Sequence, residues 1–150
     1  LKTYEAEIFL GAETDTLDLT GNIIKESNNT IDFSKLDSFL NNYSGVVMQS
    51  PPYYSALKVN GVRLYSLARN DIFIRKKPRP VNVESIKVLS INSNIIKIKL
   101  IVGKGFYVRS FAKDLAFCLN TYGYLLKLTR LAIGEYDQNT VVELSNIKND

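Results

Sequence analysis

The sequence contains no histidine, no tryptophan, one methionine and one cysteine, Cys118. Without histidine, the Ser-His and Cys-His nucleophilic pairs and the His/Cys zinc sites are unavailable within the chain, which removes much hydrolase chemistry. A lone cysteine in a helical stretch forms no internal disulfide, and no signal peptide is visible, so the expected setting is reducing and cytoplasmic. No apolar run approaches the ~20 residues of a membrane span, and membrane insertion is not expected. Charge of one sign scarcely dominates: 19 Lys and Arg against 15 Asp and Glu leave +4, too small an excess to mark the whole surface for nucleic acid.

What is present describes one globular domain. At 150 residues, 45% hydrophobic and 23% charged, the chain has material for a single core. Leu1 is not an initiator residue, and the alternation of Tyr4, Ala6, Ile8 and Leu10 against Glu5 and Glu7 begins almost at once, so the chain is expected to be cut from a longer one. The basic residues cluster. Arg69, Arg75, Lys76, Lys77 and Arg79 crowd together with only Asp71 opposing, and Pro78 and Pro80 keep that stretch extended. Such a run is a solvated loop unless a phosphate surface meets it.

Along the chain, residues 2–10 read as a strand, 11–21 as a polar loop and 22–25 as a short strand. Asp15 and Asp18 lack the D-x-D-x-D-G spacing of a calcium loop and suit turn-forming Asx hydrogen bonds. Asp32 caps a helix with apolar positions Phe33, Leu36, Phe39, Leu40 and Tyr43. Two prolines and an Asn60-Gly61 turn follow, then a short helical stretch over Val62–Arg69. Val81–Ile91 and Ile95–Val102 form a hairpin, a helix spans about 108–120, and Leu125–Tyr136 closes as a strand around Leu128, Leu131 and Ile133. Antiparallel strands with few helices predict an α+β fold.

The most informative run is Gly103-Lys104-Gly105-Phe106-Tyr107-Val108-Arg109-Ser110. Upstream, Ile96, Ile98, Leu100 and Val102 alternate with Lys97, Lys99 and Ile101. Downstream, Val108, Phe111, Ala112, Leu115 and Leu119 take helical spacing. Tyr107 and Arg109 therefore stand at a helix start, beside N–H groups without intrahelical partners, where the local field favours a phosphate or carboxylate. Lys104, Gly105, Phe106 and Phe111 match half of an RNP1 octapeptide, but Tyr107 stands where that motif wants a small residue and the strand is broken. A Walker loop is absent. Alone, the run is equally a glycine turn with ordinary local contacts.

Four blocks in order resemble the bacterial tRNA pseudouridine synthase B family over nearly the whole chain. They are Lys2-Thr3-Tyr4 with Leu10-Gly11 and Thr14-Asp15-Thr16-Leu17-Asp18-Leu19-Thr20-Gly21; Gln49-Ser50-Pro51-Pro52 through Tyr54-Ser55-Ala56-Leu57-Lys58-Val59-Asn60-Gly61 to Tyr65 and Ala68-Arg69; Lys104 to Ser110 with Asp114-Leu115; and Leu128-Thr129-Arg130-Leu131-Ala132-Ile133-Gly134. The resemblance implies an isomerase that needs no cofactor or metal. A T-loop uridine of tRNA, position 55, loses its glycosidic bond, turns, and is rejoined to the ribose through C5. It also implies that residues 1–150 are part of one pseudouridine synthase catalytic domain truncated at its N-terminus, monomeric when complete, with the T stem-loop of tRNA as partner. The family's essential aspartate lies in a G-T-L-D-P motif upstream of the Lys-x-Tyr block. That motif is not in this sequence, so the chain alone is expected to be inactive, and Asp15, Asp18 and Asp114 are not given the role.

Residue by residue, Tyr4 matches the tyrosine that stacks on the target base, as base flipping requires of an aromatic face; a core tyrosine is the alternative. Tyr107 matches the active-site tyrosine near the uracil. Arg109 matches the arginine paired with the catalytic carboxylate, for which a planar fork of donors is suited. Leu128 matches an apolar pocket residue beside the base, and a core leucine would look identical. Residues about 49–80 correspond to an insertion gripping the T-loop, which makes Lys58, Arg69, Arg75, Lys76, Lys77 and Arg79 candidate RNA contacts, with Lys104 of the glycine run a further one. Phe106 departs from the commoner threonine. A guide-RNA-dependent pseudouridylase is a rival, disfavoured by the Lys-Val-Asn-Gly-Val-Arg stretch. Non-catalytic RNA-binding or tRNA-folding modules, and an unrelated basic α+β domain, complete the alternatives.

Overall fold

A computed structural model describes residues 1–52 and 77–131, with the backbone alone at 58–59 and 62–63. The order of elements is β1 (Lys2–Leu10), β2 (Ala12–Thr14), β3 (Ile23–Glu26), a 3₁₀ turn (Phe33–Lys35) running into α1 (Leu36–Asn42), β4 (Gly45–Gln49), β5 (Lys58–Val59), β6 (Val62–Arg63), β7 (Arg79–Asn92), β8 (Ile95–Val102), α2 (Val108–Cys118) and β9 (Gly123–Arg130). Among the described residues the main sheet runs β4-β7-β8-β1-β9, antiparallel throughout, with β2-β3 and β5-β6 as separate pairs. This is the expected α+β arrangement.

Alternation decides the centre. In β1 and β8, Ala6 faces Ile98 and Ile8 faces Ile96 across the ladder, and these apolar rows merge with Leu10, Leu100 and Val102 on one side of the sheet. Their neighbours Glu5, Glu7, Lys97 and Lys99 share the other side, where Lys97 Nζ lies 2.7 Å from Glu5 Oε1. That half-exposed pair is worth well under ~1 kcal/mol, whereas each fully buried aliphatic contributes about 1.5–3 kcal/mol, so the apolar face fixes the register. α2 covers this face with Val108, Phe111, Ala112, Leu115 and Ala116, and α1 adds Leu36. Phe111 is wholly buried, with ring centroids of Tyr43 at 5.2 Å and Phe39 at 6.0 Å. Where α2 meets β9, a Cβ on Gly123 would stand 2.7 Å from Ala116 Cβ and 2.8 Å from the Phe9 carbonyl oxygen, so this close approach requires glycine. No described helix is long and apolar enough to cross a membrane.

Several expectations are corrected. Ala12–Thr14 is a strand, not loop; all three residues are buried and β2 lies against β9, so tertiary cover overrides their polarity. Val62–Arg63 is a strand rather than the start of a helix, because Lys58 pairs Arg63 and Val59 pairs Val62 across the two residues Asn60 and Gly61; 64–69 lie outside the described residues. β4 is an element that the sequence pattern does not announce. Its Val47 packs on the core while Val46 and Met48 stay exposed, a pattern too short to read before two prolines. β7 begins at Arg79, two residues early, and β9 spans Gly123–Arg130, two residues early at its start, with Ile133 outside the described residues. Asp32 does cap, accepting the Ser34 N–H at 3.1 Å, but into a 3₁₀ turn.

Candidate active site

β8 stops at Val102, the chain turns over Lys104-Gly105, and Tyr107 becomes the N-cap of α2 with an extended backbone and no side-chain capping bond. Its peptide is held from afar. The Gln49 side-chain amide, at the end of β4, accepts the Tyr107 N–H through Oε1 at 2.9 Å and donates from Nε2 to the Tyr107 carbonyl at 3.1 Å. Three residues on, Ser110 Oγ donates to the Ser50 carbonyl at 2.7 Å. Arg109, in the first turn, donates from Nη1 to the Thr16 carbonyl at 3.1 Å.

Thr16 belongs to a loop organised by carboxylates, as the Asx reading expects. Asp18 Oδ1 accepts from Thr20 Oγ1 at 2.6 Å, Thr16 Oγ1 at 2.7 Å and the Thr20 N–H at 3.0 Å, while Asp15 Oδ1 accepts the Asn22 N–H at 3.0 Å. The loop is stitched to the sheet edge where the Leu125 N–H meets the Leu17 carbonyl at 2.8 Å, beside an irregularity in the β1–β9 register. A side chain at Gly21 would collide with Thr16 Oγ1 and Asp15, so glycine closes this tight loop. Partial burial alone would raise the Asp18 pKa. The hydroxyls of Thr20 and Thr16, the Thr20 N–H and the charge of Arg109 outweigh it and hold the carboxyl below its usual range.

These parts enclose a cleft of about 440 Å³ lined by Tyr4, Tyr107, Arg109 and Leu128, with Asp18, Leu19, Thr20, Phe106, Val108 and Leu125–Leu128 completing the wall. All four residues singled out as catalytic or base-binding thus meet in one space, from β1, the start of α2 and β9. Tyr4 lies on the core side of β1 opposite Leu100 and Arg130, yet is only half-buried, at the end of the strand. Leu128 sits opposite Ala6 and is likewise half-buried. The positive end of α2 already favours an anion, no acidic residue lies in its first turn, and Arg109 adds a cation there. Asp18 answers that charge from another element. The arrangement can bind a planar apolar group between Tyr4 and Leu128 and hold an anionic group near Arg109.

Sequence reasoning missed Asp18 and Thr20 as wall residues, and Lys127; the T-x-D-x-T spacing signalled a turn, not its placement. Of the candidate RNA contacts, Lys77 and Arg79 are exposed where β7 begins and Lys104 is exposed in the turn before Tyr107. Lys58 lies in β5, known by its backbone only, and Arg69, Arg75 and Lys76 fall outside the described residues. Asp114 lines a different hollow with Glu13, Lys25, Phe39 and Phe117.

Residues 1–108 match the family model described as TruB family pseudouridylate synthase (N terminal domain). The chain belongs to the TruB family. It is 42% identical to the tRNA pseudouridine synthase B of Ureaplasma urealyticum over 97% of this chain and 65% of that protein. It is 35% identical to the protein of the same name from a Wolbachia strain of Culex pipiens, over 99% of this chain and 43% of the relative. The chain therefore spans between two-fifths and two-thirds of the length of these TruB relatives. A chain from a crystal structure of a Cbf5-Nop10-Gar1 complex superposes with a TM-score of 0.58 at 20% identity, covering 87% of this chain and 30% of that one, a likeness of fold.

Proposed function

We propose that the complete protein isomerises the T-loop uridine of tRNA to pseudouridine, and that residues 1–150 supply one wall of its active site and much of its RNA surface. The observation that carries the reading is the convergence of Tyr4, Tyr107, Arg109 and Leu128 on one cleft in a chain of this family. Tyr4 stacks on the flipped uracil, offsetting the stacking lost in the RNA, and Leu128 closes its apolar side. Arg109, oriented by the Thr16 carbonyl, pairs with a catalytic carboxylate contributed from outside these 150 residues and holds it at the ribose–base bond. Tyr107 faces the same space and hydrogen-bonds near the uracil. The cations of the insertion and of the Lys104 turn position the RNA backbone, while the loop's shape and its flipped bases specify it.

The test is tritium release from T-arm RNA carrying 5-tritiated uridine, since bond formation at C5 expels that hydrogen. The complete protein releases tritium and residues 1–150 alone do not, because positioning without the carboxylate leaves the glycosidic bond intact. Robust release by residues 1–150 would place the catalyst within them and turn attention to Asp15, Asp18 and Asp114. A non-catalytic RNA-binding module would bind T-arm RNA and release nothing in either form.

A further inference from the structure

Gln49 is 1% exposed, carries no charge and lies outside the cleft wall, yet its amide is fully engaged. Oε1 accepts the Tyr107 N–H, and Nε2 donates both to the Tyr107 carbonyl at 3.1 Å and to the Tyr43 hydroxyl at 2.9 Å. The main chain of one residue offers one donor and one acceptor, and a primary amide answers both at once from two separate atoms without ionising. Glutamate in its charged form would repel the carbonyl, and an apolar residue would strand both backbone groups in a buried place. The clamp fixes the orientation of the residue from which α2 starts, and α2 has no local cap to do so. Tyr43 anchors the far side; burial raises the pKa of its hydroxyl well above the ordinary phenol range, which keeps it protonated.

We propose that Gln49 is a positioning residue for the cleft: its amide holds the Tyr107 peptide and thereby sets where Tyr107 and Arg109 point. Gln49 also pairs with Arg79 across β4 and β7, so the chain leaves for residues 50–78 and returns from them at the clamp itself. RNA held by that segment is consequently tied to the start of α2, through the Gln49 amide and the Ser110 hydroxyl on the Ser50 carbonyl. The proposal rests on the reading of the cleft as the uridine-isomerising site, and one arm of its test does not.

In the complete protein, Gln49→Met keeps length and bulk but removes the amide. The single-turnover rate constant for tritium release from T-arm RNA is expected to fall about a hundredfold, the scale of a misplacement near 1 Å, with RNA affinity changed less than about twofold. Hydrogen exchange at the Tyr107 amide should accelerate whether or not the protein is active. Gln49→Glu should lose rate near neutral pH and regain it relative to wild type as the pH falls, because a protonated carboxyl again donates to the Tyr107 carbonyl. Tyr43→Phe, which loosens the anchor and also removes the hydroxyl's bond to Asp114, should cost about tenfold or less and serves if Gln49→Met does not fold. A reduced amplitude with an unchanged rate constant would reduce Gln49 to core packing, and parallel losses of rate and affinity would make it part of RNA binding; either overturns the proposal, as does unchanged exchange at Tyr107. Absence of tritium release by the wild type would refute the function instead, leaving the exchange comparison to decide the clamp.

Discussion

The two ends of α2 are built in opposite ways. Its C-terminal end is closed first by its neighbours, with the remote Asp32 N–H added on the Leu119 carbonyl at 2.9 Å: Asn120 takes a left-handed φ of +69, its N–H bonds the Phe117 carbonyl at 3.1 Å, and the Thr121 N–H bonds the Ala116 carbonyl at 3.0 Å, the two bonds of a Schellman cap. Its N-terminal end has no such local closure. Tyr107, Arg109 and Ser110 are held by Gln49, Thr16 and Ser50, partners separated by 58, 93 and 60 positions. A locally closed end serves stability and forms wherever the helix forms. An end assembled from remote groups exists only in the folded molecule and can hold two cleft-lining side chains in a geometry their own neighbours would not choose.

Changes at the closed end should therefore cost stability and leave the chemistry of folded molecules alone. Gly123→Ala, which drives a methyl into Ala116 and the Phe9 carbonyl, is expected to destabilise by about 1–3 kcal/mol in chemical denaturation, with the single-turnover rate constant of the complete protein unchanged. Asn120→Ala should cost about 1 kcal/mol, the strain of an alanine in the left-handed region, again without loss of rate. A slower reaction in either variant would show that the two ends are not separable.

At the assembled end, Asp18 makes the difference legible in pH. Its carboxyl titrates below the usual range in the fold, so its contribution is complete above the unfolded value near ~4 and is lost as pH falls through the folded value. Urea unfolding from pH 6 to pH 2 should show wild type losing more stability in the acid limb than Asp18→Asn; identical acid limbs would mean that the loop holds without the charge. The smallest effect concerns affinity alone. Neutralising Lys76, Lys77 and Arg79 together should flatten the log–log salt dependence of T-arm binding by about 2, near 0.7 per lost phosphate contact on single-stranded RNA. An unchanged slope would return the stretch to a solvated loop.

Much of the frame was visible in the sequence for the same reason that the C-terminal cap is local. Alternation in β1 and β8 and the helical spacing from Val108 to Leu119 reflect which face is buried, and that pattern survives without coordinates. Tyr4, Tyr107, Arg109 and Leu128 were visible through motif order, and the Asx turns of Asp15 and Asp18 through residue type. What stayed hidden was tertiary. Nothing near Glu13 announces that β9 will bury its strand, β4 carries too few residues to alternate, and Gln49 shows no trace of the peptide it clamps 58 positions away. Asp18 was readable as a turn former but not as a carboxylate within the field of Arg109, because that proximity depends on the loop's attachment to Leu125.

The most direct test of the account is Arg109→Lys in the complete protein, followed by single-turnover tritium release and equilibrium binding of T-arm RNA. Lysine keeps the charge but loses the fork that grips a carboxylate. The expected result is a rate constant lower by about a hundredfold or more with affinity and thermal midpoint nearly unchanged. Equal losses of affinity and rate would make Arg109 a phosphate contact and contradict the assignment of this end of α2 to the chemistry.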